Sequence, residues 1–235
     1  MSDFIGAFSS AASLIVGFDA AMLEVVWLSL RISLSAVAIG TAIGLPVGAA
    51  IAVGRFYGRE VLIVCVNALM GLPPVVVGLI VYLNLSKTGP FGWLQILYTP
   101  SAMIVAQTVL VTPIVIALTR QFVEDANVDY DEELRSLGVH GWAKLKTLIA
   151  EVRYSLVTVV LAAFGRAIAE VGAVIIVGGN INHVTRVMTT AITLETSKGN
   201  LGLALALGII LMLLAFAVNA VATTIRRIAP NVAYA

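Results

Sequence analysis

The chain has 235 residues, 60% hydrophobic and only 11% charged, where a soluble domain carries about 25% charged residues, so a conventional soluble globule is excluded. Fourteen Lys and Arg against thirteen Asp and Glu give a formal charge of +1, which leaves no basic field to hold a nucleic-acid backbone by counterion release. Cys65 is the single cysteine and His140 and His183 the two histidines, too few for an internal disulfide or an evident metal site. A chain this apolar reads as an all-α membrane protein with several spans.

Residues 4–18 (FIGAFSSAASLIVGF) are too short for a confident span and lack the Lys or Arg of a signal-peptide n-region. They are expected to form an interfacial helix within an N-terminal segment, residues 1–20, ahead of a transmembrane domain over residues 21–230. A crossing there would add a sixth span and move the N-terminus to the cytoplasm. The uncharged run Ile32 to Gly54 is the first span, long enough for a hydrocarbon core of about 30 Å. Its start extends toward Leu23, because Glu24 and Arg31 can snorkel and Trp27 favours an interface. Within it, Gly40, Gly44 and Gly48 repeat every four residues and open one helix face to close approach, either by another helix of the same chain or across a dimer interface.

Val61 to Ser86 is the second span, and Gly71, Leu72, Pro73 and Pro74 predict a kink where backbone donors are missing. Gly89-Pro90 marks a loop. The third span covers Ser101 to Thr119, with Pro100 before it, Pro113 inside it and Arg120 at its end. Residues 121–153 form a charged loop, about a third Asp, Glu, Lys and Arg from Glu124 to Arg153, which belongs in solvent or on a soluble partner. The fourth span, Tyr154 to Val177, carries Arg166 and Glu170 and ends at Gly178-Gly179-Asn180. A polar segment to Asn200 precedes the last uncharged run, Gly199 to Ile225, closed by Arg226-Arg227.

Placing the charged loop in the cytoplasm puts Arg55, Arg59, Arg120, Arg135, Lys144, Lys146, Arg153, Arg226 and Arg227 on that side, against Arg31, Lys87, Arg186 and Lys198 on the other. The excess of cytoplasmic Lys and Arg supports five spans, an outer N-terminus and a cytoplasmic C-terminus.

Within the charged loop, Asp129 to Gly138 is expected to be a short helix with its own start and stop. Asp129 can cap the amide of Glu132, the acids that follow favour the positive helix end, and Gly138 can take the left-handed conformation that ends it. A turn to Gly141 and a second helix from Trp142 then complete a two-helix platform; the plainer alternative is a solvated loop. Arg166 and Glu170, four residues apart, share a helix face. A charge at the centre of a span costs about 2.5–3.5 kcal/mol on insertion scales and faces protein or a water-filled cavity. The two residues read either as a self-neutralising structural pair or as part of a translocation path. Asn180, Asn182, Thr185, Arg186, Thr189 and Thr190 form either an outer vestibule or re-entrant gate, or an ordinary polar loop.

Glu132-Glu-Leu-Arg-Ser-Leu-Gly138, with Trp142 four residues on, resembles the EAA loop (Glu-Ala-Ala, three residues, Gly) of ABC importer permeases. Glu132 and Gly138 stand at the motif's Glu and Gly, Glu133 and Leu134 replace the alanines, and the Leu-Pro that often follows stands as Ala150-Glu151. Phe164-Gly-Arg-Ala-Ile-Ala-Glu-Val-Gly-Ala173 and the stretch from Gly179 to Ile192 are similar to molybdate and tungstate permeases. Met70 to Tyr82 and Thr193 to Lys198 resemble the tungstate branch, and the likeness spans roughly residues 25–225.

The resemblance implies a type I ABC importer transmembrane fold of about five helices with a cytoplasmic coupling helix, in the cell membrane. It implies two copies of this chain, two cytoplasmic ABC ATPase subunits and an extracytoplasmic oxyanion-binding protein, with tungstate or molybdate as cargo. By the same resemblance Asp129, Glu132, Glu133, Leu134, Arg135, Gly138 and Trp142 couple to the ATPase. Pro73, Pro74, Arg166, Glu170, Asn180, Thr189 and Thr190 are the candidates for the translocation path. The chain has no G-x-x-x-x-G-K-[ST] phosphate cradle, so no cofactor is expected in it and ATP and Mg belong to the partner ATPase. An intramembrane enzyme is disfavoured, since Arg166 and Glu170 have no His, Cys or second acid nearby in sequence. A stand-alone carrier or channel would need no ATPase, and no inverted repeat is evident.

Overall fold

The computed structural model describes residues 2–228, and side chains from residue 6 to residue 225. Among the described residues there are ten α-helices and no strand. They are α1 (Ser2–Val16), α2 (Ala20–Val53), α3 (Arg59–Met70), α4 (Pro74–Leu85), α5 (Pro100–Ser136), α6 (Gly141–Glu151), α7 (Arg153–Ile168), α8 (Gly172–Gly178), α9 (Met188–Ser197) and α10 (Leu201–Ile228), with a 3₁₀ turn at Gly92–Leu94. The side chains of Arg226 and Arg227 and residues 229–230, used above for orientation and for the domain limit, lie outside the described part.

The packing centre is the pair α2 and α5, and the glycine repeat explains why. A Cβ on Gly40 would lie 2.8 Å from Val111 Cγ2, on Gly44 2.7 Å from Val115 Cβ, and on Gly48 2.6 Å from the Ile116 carbonyl. The three glycines therefore seal an interface inside the chain, where missing side chains let two backbones approach. Val37, Val111, Val115, Val159, Ala163 and Ala167 bury together and add α7 to that centre. Pro46 and Pro113 sit inside α2 and α5 without ending them.

α2, α5 and α10 are each long and apolar enough to cross a membrane, and two bent pairs, α3 with α4 and α6 with α7, bring the number to five if each pair counts once. Four expectations need correction. α5 does not stop at Arg120 but runs on to Ser136, because Arg120 pairs with Glu124 one turn later and no Gly or Pro intervenes. The helix expected to begin at Asp129 therefore has no start of its own, and Asp129 lies exposed within the C-terminal part of α5. The second span is more than kinked: α3 and α4 meet at 99°, since Pro73 is extended and Pro74 opens a new helix at its first position, where its missing N–H costs nothing. The fourth span is interrupted at residues 169–171, and the polar segment after it folds in part into α9.

The N-terminal helix, about 22 Å long at 1.5 Å per residue, is docked on the bundle. Ala11 is fully buried in a cluster that includes Ala206 and Leu207 of α10, and a Cβ on Gly202 would meet Ser10 at 2.9 Å. Asp19 then caps α2 by accepting the Met22 N–H at 2.8 Å.

Candidate functional site

Two constellations carry charge into this apolar bundle. The first lies at the interruption between α7 and α8. Glu170 is buried; one carboxylate oxygen pairs with Arg166, and the other accepts the Ala173 N–H at 3.2 Å, satisfying an amide at the start of α8 that has no helical acceptor. The Glu170 carbonyl in turn accepts the Thr189 hydroxyl at 2.8 Å. The Arg166 side chain remains 37% exposed, against 3% for Glu170. A guanidinium open on that face belongs against water or protein and not against lipid tails.

The start of α4 abuts this break. A Cβ on Gly172 would lie 2.8 Å from Val75 Cγ2, and one on Gly78 only 2.7 Å from the Ala173 Cα, so α4 and α8 touch backbone to backbone. The structure thus brings Arg166, Glu170 and Thr189 together, with Pro73 and Pro74 at the head of the adjoining helix. Asn180 and Thr190 form a separate group past the far end of α8. The Thr190 hydroxyl accepts the Val187 N–H at 3.1 Å, and the Asn180 amide reaches the Thr190 carbonyl at 3.4 Å. Around them Thr185 donates to the Gly178 carbonyl at 2.6 Å, and Ser29 of α2 accepts the Met188 N–H at 2.7 Å. Thr185, Thr189 and Thr190 are buried while residues 181–184 lie exposed, so the stretch is a hydrogen-bonded corner that carries a short exposed turn.

Sequence reasoning missed Gln107. It is buried on α5 and donates from Nε2 to the Ala167 carbonyl at 3.0 Å, holding the end of α7 beside the break. The signal was available: Gln107 is the lone amide in the uncharged run Ser101 to Thr119.

The second constellation is an elbow built from the last turns of α5 and from α6. Leu134 is buried with Leu148 and Val152. Gly138, at φ +69°, donates to the Arg135 carbonyl at 3.0 Å, and Val139 donates to the Leu134 carbonyl at 2.8 Å. This paired pattern is a Schellman stop, and Val139 packs on the cluster containing Leu134, as that motif favours. Asp131 bridges the two arms, pairing with Lys144 of α6 and with Arg135 at 2.8 Å. The hydrogen bond from Lys144, aided by the charge of Arg135, holds the Asp131 carboxyl below the usual carboxylate range against an opposing effect of burial. Burial, reinforced by Glu151, pushes the Tyr130 phenol up. At the tip, Leu137 and Trp142 are exposed, with Lys146 Nζ 5.7 Å from the Trp142 ring centre. Of the residues singled out in this loop, Leu134 is in the elbow core, Arg135 and Gly138 shape the turn, and Asp129, Glu132 and Glu133 lie exposed along α5.

The family model described as binding-protein-dependent transport system inner membrane component matches residues 40–227. A probable anion ABC transporter permease protein of Haloferax volcanii is 41% identical over 215 residues, 89% of this chain and 93% of its own length. The tungstate uptake system permease protein TupB of Peptoclostridium acidaminophilum is 39% identical over 214 residues, 91% of this chain and 94% of its own. Among solved structures, a chain of the MetNI methionine ABC transporter in inward-facing conformations superposes with a TM-score of 0.67 over 87% of this chain and 95% of that chain, at 16% identity. That likeness is one of fold: the bundle is a type I ABC importer permease fold.

Proposed function

Since this chain belongs to the family of binding-protein-dependent transport system inner membrane components, we propose that it is the membrane-spanning permease subunit of an ATP-driven oxyanion importer, with tungstate as the cargo. The observation that carries this reading is the identity of about two residues in five, over nine-tenths of the chain, to permeases named for anion and for tungstate uptake. The site agrees with an anionic cargo, because Arg166 keeps part of its guanidinium open beside a broken helix while Glu170 offsets its charge. A half-neutralised arginine suits passage better than tight retention.

Two copies of the chain enclose the path, and an extracytoplasmic binding protein delivers the anion. Two cytoplasmic ATPase subunits hold ATP and Mg²⁺ and act on the elbow, whose exposed Leu137 and Trp142 seat in the ATPase surface. Residues 129–142 then move with the ATPase pair, and the breaks at Pro73-Pro74 and at Glu170 are where access alternates. In this reading the elbow and the C-terminus are cytoplasmic and the N-terminus is outside.

The test is ATP hydrolysis by the reconstituted complex in liposomes, with the binding protein loaded in turn with tungstate, molybdate or sulfate. Stimulation by tungstate above the others is the expected result. A response led by molybdate reassigns the cargo. Anion uptake by this chain with no ATPase present would replace the importer by a stand-alone carrier.

A further inference from the structure

α3 is only lightly anchored in the bundle. Val66 is its one buried residue, while Val61, Leu62, Val64, Leu69 and Met70 are all exposed. Its upper end turns through 99° into α4, so apolar packing does little to fix where its foot sits. The foot is fixed instead by Arg59. Its Nε donates to the Ile51 carbonyl at 3.0 Å, taking up one of the last carbonyls of α2, which lack helical donors. One terminal nitrogen pairs with Glu124 of α5 at 2.7 Å, and the other with Glu60 at 2.8 Å. Arg120 holds the second oxygen of Glu124. The Arg59 and Glu124 side chains are 18% and 31% exposed, shielded enough for the pair to persist where a surface pair is worth little.

Glu124 occupies a special place on α5. It lies one turn beyond Arg120, on the stretch that continues unbroken from the apolar part of the helix to the elbow. A displacement of the elbow therefore arrives at Glu124 along a continuous helix and passes to α3 through Arg59.

We propose that Glu124 and Arg59 form the pin through which elbow movement drives α3, which swings on the Gly71–Pro73 turn; both are positioning residues and neither touches the anion. This inference rests on the importer reading above. Glu132 and its neighbours meet the ATPase in that reading, whereas Glu124 relays the movement inward.

The experiment uses the full complex with its ATPase and binding protein, in a Cys65→Ser background. Glu124→Gln is expected to leave assembly and ATP hydrolysis within about twofold of the parent while anion uptake falls at least tenfold. Arg120→Gln, which spares the Arg59 contact, is expected to keep uptake within about twofold. Arg59→Cys with Glu124→Cys is expected to lose uptake and to regain it when a short bis-methanethiosulfonate joins the two positions, each thiolate displacing methanesulfinate to form a disulfide, since a covalent pin replaces the ionic one. The proposal is overturned if Glu124→Gln transports normally, if Arg120→Gln loses uptake as deeply as Glu124→Gln, or if the cross-linked complex hydrolyses ATP and still does not transport. Should the single variants assemble poorly, the cross-linked pair measured against its own reduced form decides. If the parent complex shows no anion-stimulated hydrolysis, it is the importer reading that fails, and the two failures remain distinct.

Discussion

The α2–α5 pair and the α7–α8 break solve the same problem, holding helices together in a bundle with little polar surface, by opposite means. Between α2 and α5 there is subtraction: Gly40, Gly44 and Gly48 remove side chains until the backbones touch. At the break there is addition: Glu170, Arg166, Thr189 and Gln107 supply the partners that an interrupted helix leaves missing. The first arrangement has one close-packed geometry and resists change. The second is a set of exchangeable hydrogen bonds, the kind of contact that can be remade when a helix shifts. The bundle thus divides into a close-packed frame and a region held by polar contacts.

The sharpest way to break this contrast is to overfill the frame. Gly44→Leu puts a side chain into the Val115 Cβ and should cost about 3 kcal/mol or more, read as a collapse of the thermal midpoint of the detergent-solubilised protein. Gly208→Leu is the control, because a Cβ there meets nothing within 4 Å, and it should stay within about 0.5 kcal/mol. Equal loss in both would dissolve the idea of a sealed frame.

The break should answer more mildly. Glu170→Gln retains an acceptor for the Ala173 amide but strips Arg166 of its counter-charge, at an expected cost of about 1–2 kcal/mol given the partial exposure of the arginine. Adding Arg166→Gln to that variant separates the two roles of the pair. A purely structural pair should regain both stability and uptake in the double variant, whereas an arginine on the path should leave uptake low with stability restored.

At the elbow, Gly138→Val has open space around it but must hold a β-branched residue at φ +69°, a strain of about 1–2 kcal/mol. Its expected signature is a fall in anion transported per ATP hydrolysed, with insertion intact. The smallest effect belongs to Asp131. Its carboxyl titrates below the ordinary value in the folded elbow, so its bridge stabilises the elbow fully above the unfolded value of about 3.9 and is lost as the pH falls through the folded value. Protection of the Val139 amide against hydrogen exchange, taken relative to the intrinsic rate at each pH, should therefore fall only below about pH 4, and Asp131→Asn should flatten that response.

Much of this was legible in the sequence, because composition and punctuation report directly on a membrane bundle. The uncharged runs placed α2 and α10, the glycine repeat allowed a close helix pair, and Pro73-Pro74 marked a break. The extent of α5 was not legible, since Arg120 reads as a terminus until Glu124 is seen to neutralise it. Nor was the interruption at Glu170, where the residues read as one more helical turn. A carboxylate that caps the next helix and a threonine nineteen residues away decide otherwise. The partners of a polar group in an apolar chain are set by tertiary contact, and spacing along the chain carries that information only when both partners share a helix.

The right-angled join of α3 to α4 also bears on how the chain reaches its membrane. Each half has twelve residues, about 18 Å of helix, and neither alone matches a hydrocarbon core of about 30 Å. A ribosome that has just released Leu85 into the insertion machinery has delivered one long helix, α2, and two half-lengths that leave polar backbone unsatisfied at the turn. The surfaces that complete them lie on α5 and α8, which follow in the chain, so the second span depends on segments made after it.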